Sequence, residues 1–143
     1  ANIPRLFVIG RRGPEHPEAL QRLDDAAGFG VYHLPNLDDG AVAVIVQNAR
    51  ALLMPSLAEG FGLPVSEAAA RGVPVICNDL PVYHETLGDV PTYIPADQPK
   101  AWARAILRHA ETLHAQTGTD RRESRAIPTP TWTEHFNIVL KDI

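Results

Sequence analysis

Short apolar runs alternate along this chain with stretches of helical spacing, and that alternation is what most narrows the folds open to it. Leu6-Phe7-Val8-Ile9 closes at Gly10, Val31-Tyr32-His33-Leu34 at Pro35, and Ala51-Leu52-Leu53-Met54 at Pro55. Val73-Pro74-Val75-Ile76-Cys77 and Thr92-Tyr93-Ile94 are two more. Runs this short, bounded by turn residues, read as buried strands. Between the first two lies a Leu20, Leu23, Ala26, Ala27 stripe of helical spacing. Asp38 is placed to cap a second helix carrying Val42, Ile45, Val46 and Ala49 on one face. The β-branched string from Ala41 to Val46 would also suit a strand, but the aspartate cap and the Gln47-Asn48-Ala49-Arg50 tail favour a helix. Pro64 opens a third helix through Ser66 to Arg71, and Gly72 stands where a left-handed closing residue belongs. Tyr83-His84-Glu85 begins a further helix, Ala101 to Ala115 forms another, and Trp132 to Leu140 repeats the pattern after a polar stretch from Thr117 to Pro130.

Strands that alternate with helices must pair in parallel, with each connection crossing over the sheet. The expected architecture is therefore α/β: a three-layer, Rossmann-like parallel sheet. Ligands of such open sheets bind at the carboxyl ends of the strands, which directs attention to the loops after Ile9, Leu34, Met54 and Cys77.

Composition removes several classes of function. At 143 residues, 45% hydrophobic and 21% charged, the chain can bury one core without staples. Its formal net charge of −4 argues against nucleic acid as a partner, since phosphate backbones demand clustered lysine and arginine. Cys77 is the sole cysteine, so no intrachain disulfide can form, and no stretch has the order of a signal peptide. A cytoplasmic setting is expected. The longest apolar run, Ala41 to Val46, is far too short to span a bilayer.

The loop after Met54 carries the chemistry. Glu59-Gly60-Phe61-Gly62-Leu63-Pro64-Val65-Ser66-Glu67 joins a strand end to a helix start. Gly60 and Gly62 allow a tight turn and a close backbone approach to a ligand. The amides of Leu63, Val65 and Ser66 would then point outward at the positive end of the helix dipole, a ready site for phosphate. Pro64 costs nothing at a first helical position, where its missing N–H has no acceptor to lose. The glycine spacing matches neither the dinucleotide fingerprint nor the P-loop.

These nine residues resemble the E-x7-E signature of the retaining glycosyltransferases of family 4, also called glycosyltransferase group 1, written around E-G-F-G-L-P-x-x-E-A. The flanks agree: Leu6 to Gly10 before, Ala49 to Ser56 leading in, Gly72 to Ile76 after, and Trp132 near the end. The resemblance covers nearly the whole chain, but only the C-terminal lobe of the two-domain GT-B fold. It implies that residues 1–143 are a donor-binding domain lacking both its first strand, with the arginine and lysine that follow it in the family, and the N-terminal acceptor domain. It further implies that Glu67 accepts hydrogen bonds from the two ribose hydroxyls of a nucleoside-diphosphate sugar, a task suited to an acceptor-only carboxylate. Glu59 would contact the transferred sugar as the catalytic carboxylate. Backbone from Gly60, Phe61, Gly62, Leu63, Pro64 and Val65 would face the diphosphate and sugar, and the nucleobase would lie by Leu34, Pro35 and Leu37. The family retains anomeric configuration without a metal or other cofactor, stabilising the leaving diphosphate by amide and cationic donors. No Asp-x-Asp metal motif occurs.

The implied function is hexose transfer from the nucleotide donor to a sugar or lipid-linked acceptor bound by the missing domain, with peripheral membrane association open to the parent protein. The isolated chain should then be inactive. Alternatives are a sugar-nucleotide binding module without catalysis and part of a sugar-nucleotide epimerase. Simpler readings stand beside these: Glu67 in a first helical turn would complement the dipole, and Glu59 would be a solvated loop residue. The histidines His16, His33, His84, His109, His114 and His135 share no metal-ligand spacing. Tyr83-His84-Glu85 is read as a helix start, with a donor-sugar contact as the alternative, Arg11 and Arg12 as facing water, with a phosphate as the alternative, and Trp102, Trp132 and Phe136 as core anchors rather than stacking platforms. For the glycine loop, a helix start within about two residues of Pro64 and a Glu67 outside the core are required.

Overall fold

A computed structural model describes residues 4–13 and 16–112, together with the single positions Thr133 and Asn137. The expected helix from Trp132 to Leu140 lies, apart from those two positions, outside the described residues, and so do its anchors Trp132 and Phe136. Strands and helices alternate throughout: β1 (Leu6–Ile9), α1 (Pro17–Asp25), β2 (Val31–Leu34), α2 (Asp39–Asn48), β3 (Leu52–Met54), α3 (Leu63–Ala70), β4 (Val75–Cys77), α4 (Pro81–Leu87), β5 (Thr92–Tyr93) and α5 (Pro99–Thr112). Every pairing is parallel. The chain is α/β and Rossmann-like.

Its strands form two sheets, one of order β1-β2 and one of order β3-β4-β5, with no ladder joining them among the described residues. In the first, Leu6 pairs with Val31 and Ile9 with Leu34. In the second, Leu52 pairs with Val75, Met54 with Cys77, and Cys77 with Tyr93.

The core belongs to the second sheet, and strand alternation explains its two halves. Val75 and Cys77 point to one face, where Val65, Ala68 and Ala69 of α3 and Tyr83 and Leu87 of α4 cover them. Ile76 points to the other, against Ile94 and against Trp102 and Ala105 of α5. Three layers result: α3 and α4, the sheet, α5. Trp102 also donates from Nε1 to the carbonyl of Pro95 at 3.1 Å, which makes it the anchor expected. Around β1 and β2 burial is poorer. Leu6, Phe7, Ile9 and Tyr32 are all exposed, and neither α1 nor α2 holds a buried residue.

Local signals set the helix ends. The Asp38 carboxylate accepts from the Ala41 amide at 2.8 Å, capping α2. At the end of α3, Gly72 adopts φ +69°, its amide donates to Ala69 and that of Val73 to Ala68, both at 2.9 Å. These are the paired bonds of a Schellman closure, which only a residue at ease with positive φ completes cheaply. Among the described residues no helix is long and apolar enough to cross a membrane.

Candidate glycine-loop site

Residues 55–62 leave the carboxyl end of β3 and deliver the chain to α3. Gly62 is the residue that makes the delivery possible: it caps α3 at φ +77°, ψ 44°. Its carbonyl accepts from the Ser66 amide at 3.1 Å and from the Ser66 hydroxyl at 3.2 Å. No side chain caps the helix from the front, so the amides of its first turn are left to solvent or a ligand.

The helix begins at Leu63, one residue before the position expected for Pro64, and three details change with it. Pro64 takes the second helical position. The Ser66 amide is engaged by Gly62, so it is not among the free donors. Glu67 lies beyond the first turn, which holds no acidic residue, so a dipole-complementing role for it is excluded.

The predicted site residues divide by exposure. Gly60, Phe61, Leu63 and Pro64 are exposed, and Glu59 is half-buried. Gly62 is buried beneath the loop and Val65 is 0% exposed, its side chain in the core. Glu67 stands on the open side of α3 with its side chain 62% exposed, 3.6 Å from Arg71, whose guanidinium also donates to the Glu67 carbonyl at 2.9 Å.

Two residues hold this loop in place, Asn78, which sequence reasoning passed over, and Tyr83, which it read as part of a helix start or a donor-sugar contact. Asn78, buried at the end of β4, donates from its side-chain amide to the Ser56 carbonyl at 2.9 Å. Its side-chain oxygen accepts from the amides of Asp79 and Ala96, each at 2.9 Å, so one residue ties three loops at the carboxyl edge. The available signal was a polar residue directly after a buried strand. Tyr83 of α4 is the second. It is 0% exposed, and a Cβ added to Gly62 would come within 2.6 Å of its ring. Burial, and then the charge of Glu59, raise the Tyr83 hydroxyl, while the Ser56 hydroxyl beside it lowers it.

Beside them, His84 sits 2.7 Å from Asp79 and stacks on Tyr93 with ring centroids 3.9 Å apart. The Tyr93 hydroxyl lies 2.6 Å from the Gly88 carbonyl, and burial pushes it up to about 12. Burial likewise pushes the Cys77 thiol up to about 12, with Asp79 adding to the effect. A thiol so placed is a packing group.

A cavity of about 760 Å³ lies elsewhere, along β2 of the first sheet. Arg11, Arg12, Tyr32, His33, Leu34 and Pro35 line it, so it includes part of the expected nucleobase region, but no residue of the glycine loop. Arg12 faces water as expected, its side chain 40% exposed, and it is paired there as well. It donates to Asp24 at 3.0 Å and to His33 Nδ1 at 3.1 Å, and His33 Nε2 in turn contacts the Gly10 carbonyl at 2.8 Å. This pairing raises the Arg12 guanidinium and lowers Asp24, through the hydrogen bond first.

Comparison with known proteins gives this geometry its context. Residues 2–112 match the family described as Glycosyl transferases group 1. A serotype-specific mannosyltransferase of Escherichia coli is 30% identical over 140 residues, 96% of this chain and 17% of that protein. An O-antigen chain mannosyltransferase of Salmonella typhimurium is 44% identical over 103 residues, 71% of this chain and 29% of that protein. A phosphatidyl-myo-inositol mannosyltransferase of Mycolicibacterium smegmatis is 27% identical over 131 residues, 90% of this chain and 33% of that protein. The chain thus spans a third or less of these relatives, and within that span it belongs to the group 1 glycosyl transferases.

Proposed function

We propose that this chain is the donor-binding lobe of a retaining GT-B glycosyltransferase that moves mannose from a nucleoside-diphosphate mannose to a glycan or lipid-linked acceptor. The observation that carries the reading is the uncapped start of α3, with Gly60, Phe61 and Leu63 exposed and a left-handed Gly62 behind it. Free amides at a helix start stabilise a leaving diphosphate electrostatically. Glu67, exposed on the same helix, is suited to a ribose diol, and Glu59 in the loop to the sugar hydroxyls. The three relatives named above are all mannosyltransferases, which favours mannose as the sugar.

Domain organisation follows the same proposal. A parallel strand supplied by preceding sequence would join β1 to β3 and give the order β2-β1-new-β3-β4-β5. Renumbered from the new strand, this is 3-2-1-4-5-6, the dinucleotide-binding order, whose reversal point marks the ligand crevice. The edges of β1 and β3 left unpaired among the described residues, and the exposed Leu6, Phe7 and Ile9, support it. The acceptor would be bound by a further domain, so the chain alone binds donor weakly and transfers no sugar, because catalysis requires both reactants to be positioned.

A thermal-shift screen of this chain and of the full-length protein against UDP, GDP, ADP and their mannose conjugates tests the reading. One base series should raise the midpoint in both. No shift with any of them would end the nucleotide-sugar assignment, and sugar transfer by the 143 residues alone would end the two-domain one.

A further inference from the structure

Among the described residues, the Tyr83 hydroxyl is the one buried side-chain polar group without a hydrogen-bond partner. Native folds rarely strand such a group, and phenylalanine would fill the same space without one. Its position is informative. A Cβ built on Gly62 would lie 2.6 Å from the ring's Cε1 and 3.0 Å from Cδ1, so the hydroxyl end of the ring is the end nearer the glycine loop. The oxygen is sealed from solvent, so no ligand reaches it, and whatever it does must pass through a neighbouring loop residue.

The loop offers two acceptors, the Ser56 hydroxyl and the Glu59 carboxylate, and both influence the Tyr83 proton. They are held differently. The Ser56 backbone is pinned by Asn78, and Gly62 is seated on the ring itself. Glu59 lies between them in an open stretch, with Leu57 80% exposed and free space around Gly60. Glu59 can therefore shift while its neighbours stay, and a hydroxyl bond to a carboxylate is the stronger, charge-assisted kind.

We infer that Tyr83 is a positioning residue: when the donor sugar seats on the glycine loop, its buried hydroxyl donates to the Glu59 carboxylate and fixes that group against the sugar. This rests on the nucleotide-sugar reading of the loop. The strand of polarity left unmet in the free protein is met in the loaded one, so ligand binding and loop ordering are a single event.

The test uses the full-length protein with Tyr83→Phe, Glu59→Ala, Ser56→Ala and the two double variants, titrated with GDP-, UDP- and ADP-mannose and the matching diphosphates. Without ligand, Tyr83→Phe should melt at the same temperature as the unmutated protein or higher. Its affinity for the plain diphosphate should stay within about twofold, while its affinity for the intact donor and its kcat fall about tenfold. In the Glu59→Ala background, Tyr83→Phe should do nothing more. A lower melting temperature, equal loss for diphosphate and donor, or no loss at all would overturn the inference. So would an effect that survives Glu59→Ala, and its disappearance in Ser56→Ala would name Ser56 as the acceptor instead. If the unmutated protein binds none of the donors, the nucleotide-sugar reading itself falls, and this inference falls with it.

Discussion

Gly60 and Gly62 stand two residues apart in one loop, yet their substitution should have opposite outcomes. Gly62 is at φ +77°, and an added Cβ would press on the Tyr83 ring at 2.6 Å. Gly62→Ala should therefore cost about 2 kcal/mol or more in denaturant unfolding, from backbone strain and overpacking together. An added Cβ at Gly60 meets nothing within 4 Å, so Gly60→Ala should leave stability within about 0.5 kcal/mol and act, if at all, on ligand affinity. Equal stability losses would refute the local geometry. Glu67→Ala separates function from folding in the same way. Its contact with Arg71 is exposed and 3.6 Å long, so stability should drop by no more than about 0.5 kcal/mol. Donor affinity should fall about tenfold or more if the carboxylate holds the ribose. Unchanged affinity for plain diphosphate would remove the ribose role. Glu59→Ala should instead lower kcat more than nucleotide affinity, because the partner proposed for it is the sugar.

At the scale of elements, what the sequence discloses depends on how local the cause is. The caps of α2 and α3 were legible, because Asp38 and Gly72 act on backbone groups within a few residues. The start of α3 was legible to within one residue, the shift arising from Gly62 acting as cap. Asn78 and Tyr83 were not legible as supports. Their partners, Ser56 and Gly62, lie some twenty residues earlier, and only the crossover of α3 brings them together. Likewise, nothing in the sequence near Arg12 announces Asp24 or His33, which meet it only once α1 and β2 have folded back. Asn78 gives the direct check. Asn78→Ala removes bonds to Ser56, Asp79 and Ala96 and leaves buried backbone groups unmet. A loss of about 1 to 3 kcal/mol is expected, with the glycine loop becoming more open to protease. A variant as stable as the parent would show that the three loops do not depend on this side chain.

For the whole molecule, alkali is the informative perturbation. Folding moves the Cys77 thiol from 9.0 to about 12 and the Tyr93 hydroxyl from 10.0 to about 12, burial being the first cause of each. Below about pH 9 both groups are protonated whether or not the chain is folded, and the stability is whole. Between about pH 9 and 12 the unfolded chain gives up these protons first, so stability should decline across that window, and a flat profile in chemical denaturation would contradict the burial. Cys77 should also resist alkylation until the chain unfolds. The first sheet behaves differently from this core. A β1 edge without a partner among the described residues, beside exposed Phe7 and Tyr32 stacked 5.4 Å apart, is a template for adventitious pairing. Concentrated solutions of the 143 residues should therefore self-associate and bind hydrophobic dyes, while a longer polypeptide that lays a strand along β1 should stay monodisperse.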